Sequence, residues 1–233
     1  MSNPQTVTDR RPLEATVGRA GDLSGAGTRV LRDTYRLLSV TLAFSAVVAV
    51  GSSMLGLPHP GLLLTLAGYF GLLFMTAKLR NSAWGLAAVF ALTGFMGYTL
   101  GPLLNAYLAI PGGSSIVATA MGATAVVFLG LSAVARSTRV GNLPKLGSFL
   151  FVGILTAFVL GLAAVLFEMP MLSLAVSGLF VLLMSGLIVY ETQNIIAGGE
   201  TNYIMATVTL FVAIYNLFTS LLHLLGFFAG DDG

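Results

Sequence analysis

The stretch GLIVYETQNIIAGGETNYI, Gly186 to Ile204, decides how the chain is read. An apolar run suited to lipid meets Glu191, then Gln193 and Asn194. Gly198, Gly199 and Glu200 interrupt it, and a second apolar run follows. A polar Gly-Gly break between two such runs is a turn between membrane-crossing helices. The carboxylate just before the break needs a separate explanation.

The rest of the chain repeats this grammar. Of 233 residues, 56% are hydrophobic and 9% are charged, against about 25% charged in an ordinary soluble domain. Mean hydropathy is +0.92. The apolar runs are continuous and about 20 residues long, which excludes a barrel of alternating strands. Seven can be marked, near residues 37–57, 61–77, 84–108, 115–135, 146–167, 171–196 and 203–228. The expected fold is therefore an all-α seven-transmembrane-helix bundle over residues 36–230. Residues 1–35 hold no apolar run and no signal-peptide core, and read as a disordered tail, either a recognition element or a mere lead-in.

Charge placement supports the count. Lys and Arg favour cytoplasmic loops. Six of the eleven precede the first run, two lie in Lys78–Arg80, and three in Arg136–Lys145. Seven spans put all three groups on one side of the membrane. The expected topology has a cytoplasmic N-terminus and an extracytoplasmic C-terminus. The Glu191–Glu200 loop is then cytoplasmic.

The candidate residues are few. Glu191 is either an interfacial acid meeting water or a buried titratable group, with Lys78, Arg80, Arg136, Arg139 and Lys145 on the same side as possible charge partners. Asn105, Tyr215 and Asn216 are polar within spans, and an interhelical hydrogen bond is the plain reading of Asn216. Asn105, one turn past Pro102, is placed to satisfy a carbonyl that the proline frees. Gly94, Gly97 and Gly101 share one helix face and suit close packing. Thr201 or Asn202 can cap the last helix. His223 stands alone, so no metal-ligand spacing exists. There is no cysteine, phosphate loop or nucleophile motif, and Glu168 and Glu191 lie at opposite ends of their spans. The expectation is a non-enzymatic protein without cofactor or metal, and with no basic patch for nucleic acid.

Three stretches together carry a likeness: LRDTYRLLSVTLAFS (Leu31–Ser45), LTGFMGYTLGPLLNAY (Leu92–Tyr107) and YETQNIIAGGETNY (Tyr190–Tyr203). The chain resembles the YccA branch of the bacterial Bax-inhibitor, or transmembrane Bax inhibitor motif, family. The resemblance implies seven helices with the last near the centre. It also implies one of two activities. The first is modulation of the membrane protease FtsH, as a substrate-like inhibitor held through the N-terminal tail. The second is a pH-sensitive calcium or proton leak gated by two acids on the last two helices. Glu191 falls at the first acidic position, and the second is occupied by Ala213.

Overall fold

A computed structural model describes residues 11–137 and 141–231, with side chains described for residues 25, 27–137 and 141–229. Among the described residues the secondary structure is helical throughout. The elements are α1 (Arg11–Met54), α2 (Leu62–Leu79), α3 (Trp84–Leu108), α4 (Gly113–Ser137), α5 (Leu143–Leu166), α6 (Pro170–Ile196) and α7 (Tyr203–Asp231). Each contains a stretch of at least 18 residues apolar enough to cross a membrane, and in α1 that stretch is Gly27–Met54. The seven expected runs match these helices.

The first boundary differs. Residues 11–35, assigned to the tail on composition, lie in α1, and the packed part of α1 starts about ten residues before the first apolar run. Gly27 is buried and Thr34 is fully buried. The buried stripe of α1 is Gly27, Thr34, Leu38, Thr41, Ser45, Ala49 and Ser52. It is spaced at helical intervals but made of small and hydroxyl residues, so a hydropathy scan does not see it. A helix nucleated in the bundle also extends at low cost into a polar segment. Residues 1–10, the rest of the expected tail, lie outside the described residues.

The helix ends follow local chemistry. Asn142 caps α5 by accepting the Lys145 amide at 3.3 Å, and prolines sit in the first turns of α5 and α6, where the missing N–H costs nothing. α6 stops at Gly198, whose φ of 76° is left-handed. Gly198 N–H reaches the Ile195 carbonyl at 3.1 Å and Gly199 N–H reaches that of Asn194 at 2.9 Å. These are the two bonds of a Schellman C-cap, which a glycine at this position permits.

α7 runs through the middle. It packs against α1, α3, α4 and α6. Each of the three apolar clusters contains α7 side chains: Val208 and Phe211 in one, Ala213 and Leu217 in the next, Leu222 in the third. α2 and α5 lie at the periphery and bury little of their surface.

The tightest packing joins α1 to α3. A Cβ on Gly97 would fall on the Ser45 carbonyl, one on Gly101 would meet Ser52, and one on Gly94 would lie 2.9 Å from the Phe44 ring. Lipid supplies no hydrophobic drive between helices, so close backbone approach does this work. Gly97→Ala should therefore lower the melting temperature of the purified protein in detergent, by roughly the 1–3 kcal/mol of an overpacked site. Gly122→Ala, where the added methyl meets open space, should leave it unchanged or raise it.

Candidate functional site

The polar end of α6 is enclosed rather than solvated. Glu191 is 4% exposed, Thr192 is fully buried, and Gln193 and Ile195 are buried beside them. The cover is the first packed turns of α1. A Cβ on Gly27 would lie 3.0 Å from the carbonyl oxygens of both Ile195 and Ile196, so only glycine lets the chain cross the α6 C-terminus this closely. Two turns later the Thr207 hydroxyl of α7, which donates to the Tyr203 carbonyl of its own helix at 2.7 Å, shares its proton with the Thr34 carbonyl at 3.3 Å, and Tyr35 meets Thr192 hydroxyl to hydroxyl at 3.3 Å. The chain thus enters its bundle at the Glu191 end of α6.

Glu191 hydrogen-bonds with the Asn194 side chain and faces the charge of Glu200. The basic residues expected beside it are placed elsewhere. The Arg136 guanidinium lies over the Tyr35 ring, 4.8 Å from its centroid. Lys78 and Arg80 are exposed at the α2 C-terminus, and it is the Arg80 carbonyl, not its side chain, that is engaged. Among the described residues no Lys or Arg forms an ion pair with Glu191. The physical reason is position: Glu191 is buried while Lys78, Arg80 and Arg136 stay at the surface. Arg139 lies outside the described residues. Ala213, the position of the second acid, is fully buried in an apolar cluster with Ile188 and Leu217.

Asn202 holds the loop. Its side-chain oxygen accepts from the amides of Ile204 and Met205 at 3.0 and 3.1 Å, capping α7. Its side-chain nitrogen donates to the Arg80 carbonyl at 3.1 Å and to Asn81 at 2.8 Å. One residue therefore starts α7 and ties the α6–α7 turn to the α2–α3 turn. Glu200 accepts the Asn202 amide at 2.7 Å.

The remaining polar groups stitch helices within the spans. The carbonyl that Pro102 frees is that of Tyr98, and Ser52 of α1 donates to it at 3.0 Å. This corrects the role expected of Asn105, which reaches α1 instead: its amide donates to the Ser53 carbonyl at 3.0 Å, and the Ser53 hydroxyl donates back to its oxygen. Tyr215 meets Thr99 of α3 at 3.2 Å. Asn216 turns its amide onto the Val212 carbonyl of its own helix at 2.8 Å, not across to a neighbour. It lines a cavity of about 380 Å³ between α2 and α5, with Tyr69 and Tyr215. His223 pairs with Ser177 of α6 at 2.7 Å. Among the described residues no group of His, Asp and Glu could hold a metal ion. Sequence reasoning missed Ser52, Ser53, Thr34 and Tyr35. Their signal was hydroxyl residues at helical spacing along one face of the first helix.

The family model described as "Inhibitor of apoptosis-promoting Bax1" matches residues 27–230. The chain belongs to the Bax-inhibitor family. It is 50% identical over 203 residues to a protein of Escherichia coli strain K12 named "Modulator of FtsH protease YccA", covering 87% of this chain and 92% of that one. The same identity and coverage hold for an Escherichia coli O6:H1 protein named "Inner membrane protein YccA". An uncharacterized Pseudomonas aeruginosa protein is 50% identical over 220 residues, covering 94% of this chain and 97% of its own. The family match begins at Gly27, the residue that meets the α6 C-terminus. The chain is thus a YccA-like, multi-pass protein of the inner membrane.

Asn202→Ala removes the cap and the tie together and should cost about 1–2 kcal/mol. It should also speed hydrogen exchange in residues 197–206. Asn202→Ser keeps a capping oxygen but not the link to Arg80 and Asn81, so it should recover most of the stability while the two turns exchange independently.

Proposed function

We propose that this protein is a non-enzymatic modulator of an FtsH-type ATP-dependent protease, which takes hold of it from the N-terminal side. The observation that carries this reading is the way the chain enters its own bundle. At 44 residues α1 is the longest helix, about 66 Å at 1.5 Å per residue, against about 30 Å of hydrocarbon. Residues 11–26 add roughly 24 Å of helix ahead of Gly27. The segment offered to the protease is continuous with a helix hydrogen-bonded to three others, α3, α6 and α7.

Pulling from that end loads α1 first. Its fastenings reach three neighbours: Gly27 and Tyr35 against α6, Thr34 against α7, and Ser52 and Ser53 against α3. Interhelical hydrogen bonds of this kind are each worth about 0.6–2 kcal/mol in a membrane. They must break together, because all lie on one rigid helix. A protease that grips the chain and draws α1 out only slowly stays occupied for longer, which is inhibition by a slowly degraded substrate. The positive-inside pattern supports a cytoplasmic grip site, and the relative named as an FtsH modulator supports the partner.

The test is cellular half-life, for the full chain and for the chain lacking residues 2–25, with and without active FtsH. The deletion stops short of Gly27 and spares the packed bundle. Half-life should lengthen on deletion and on loss of the protease, without further gain when both are removed. A half-life indifferent to both overturns the reading.

One observation favours a second reading. Glu191 is a buried carboxylate, as a gating acid of an ion leak would be. With Ala213 at the second acidic position, it has no partner acid on α7. Purified protein in vesicles should then pass calcium and protons no faster than empty vesicles at every pH tested. A pH-dependent flux abolished by Glu191→Gln would put the leak in place of the protease.

A further inference from the structure

A second cavity, of about 420 Å³, opens sideways between α1 and α4. The two helices do not pack together along their length, and α7 and α3 close the back of the space. Leu42, Ala46 and Val50 line it from α1, and Met121, Ala125 and Leu129 from α4. Its wall is almost wholly apolar, and the hydroxyl of Thr124 is spent on the Ala120 carbonyl at 2.7 Å. Water has no partners there. The medium outside the opening, at mid-span depth, is hydrocarbon.

The basic end of this groove is built differently. Tyr35 of α1 and Phe128 of α4 stack across it, with centroids 5.9 Å apart, and Arg136 lies 4.8 Å from the Tyr35 centroid. Arg32 sits one turn before Tyr35, on the same stripe of α1 as Leu42 and Ala46. Both guanidinium groups are exposed. The ion pair of Arg32 with Asp33 is long, 3.4 Å, and the two side chains are 58% and 45% exposed, so it binds the arginine weakly. Two cations thus flank the mouth of an apolar slot. From Arg136 to Leu129 is about 10 Å along the helix, and from Arg32 to Leu42 about 15 Å. Those are the depths from a headgroup toward the middle of a bilayer whose hydrocarbon is about 30 Å thick.

The geometry points to a binding site for one anionic glycerophospholipid in the α1–α4 groove. Its phosphate lies between Arg32 and Arg136, and one acyl chain runs past Phe128 into the cavity. The apolar slot alone accepts any acyl chain. The flanking arginines select the charge, because a cation at a membrane surface is worth about five-fold in affinity for acidic lipid. This site does not depend on the protease reading.

The test is native mass spectrometry of the full chain, delipidated in mild detergent and titrated with dioleoyl phosphatidylglycerol or dioleoyl phosphatidylcholine. The two lipids share acyl chains and differ in net charge. Wild type should retain one phosphatidylglycerol, about 25-fold more readily than phosphatidylcholine, at about five-fold per arginine. R32Q and R136Q should each lower that preference about five-fold, and the double variant should abolish it. The pair K78Q and R80Q, at the same end but away from the groove, should change nothing. Ala46→Phe with Ala125→Phe fills the slot at two lipid-exposed positions and should weaken retention of both lipids. If that variant fails to fold, the arginine variants decide the matter alone. Equal retention of the two lipids by wild type overturns the proposal. So does a preference that survives R32Q/R136Q, or one that falls equally with K78Q/R80Q and so belongs to the basic surface at large.

Discussion

The approach of α1 to α3 sets the rest of the bundle. Gly97 and Gly101 of α3 admit the Ser45 and Ala49 carbonyls and Ser52 of α1, and Gly94 makes room for the Phe44 ring. That closeness places the Ser52 hydroxyl on the carbonyl left open by Pro102. A proline in mid-helix normally leaves an unpaired acceptor, which lipid cannot satisfy. Here the defect of one helix becomes the anchor of its neighbour. With α1 fixed in this way, its first turns reach over the end of α6 and enclose Glu191, while its far side stands off α4 and leaves the groove.

Most of this architecture is legible in the sequence, because hydropathy and charge are global signals. Six of the seven spans fall close to where apolar runs place them. α1 is the exception. Its buried face holds Thr34, Thr41, Ser45 and Ser52, which score as polar although they face protein, and the hydroxyls of Thr41 and Ser52 donate to carbonyls. The Gly94–Gly97–Gly101 face was readable from spacing, but its partner helix was not. Which helix a glycine stripe meets is a fact of tertiary arrangement.

The site was less legible, for related reasons. Glu191 stands out in any reading as an acid ending an apolar run. Whether it meets lipid headgroups, an arginine or the inside of the protein depends on the packing around the α6 C-terminus, which Gly27 crosses from more than 160 positions away in the chain. Arg136 looked like a charge partner on grounds of sidedness, yet the Tyr35 ring is nearer and offers a cation–π contact. Asn202 was one of two possible caps. Its second task, joining two turns about 120 residues apart, leaves no trace in local sequence. Asn216 looked like glue between helices and bonds within its own.

In this account α1 is both the part the protease would reach first and a part that the bundle ties to three other helices. The measurement that tests that claim most directly is the rate at which purified FtsH degrades an unrelated membrane substrate in proteoliposomes. It is taken with the full chain present, and again with a Ser52→Ala/Asn105→Leu variant whose α1 is loosened but whose N-terminal segment is intact. The account predicts that the wild-type chain slows the protease while being degraded slowly itself, and that the variant is degraded faster and inhibits less. Equal inhibition by both, or none by either, would contradict it.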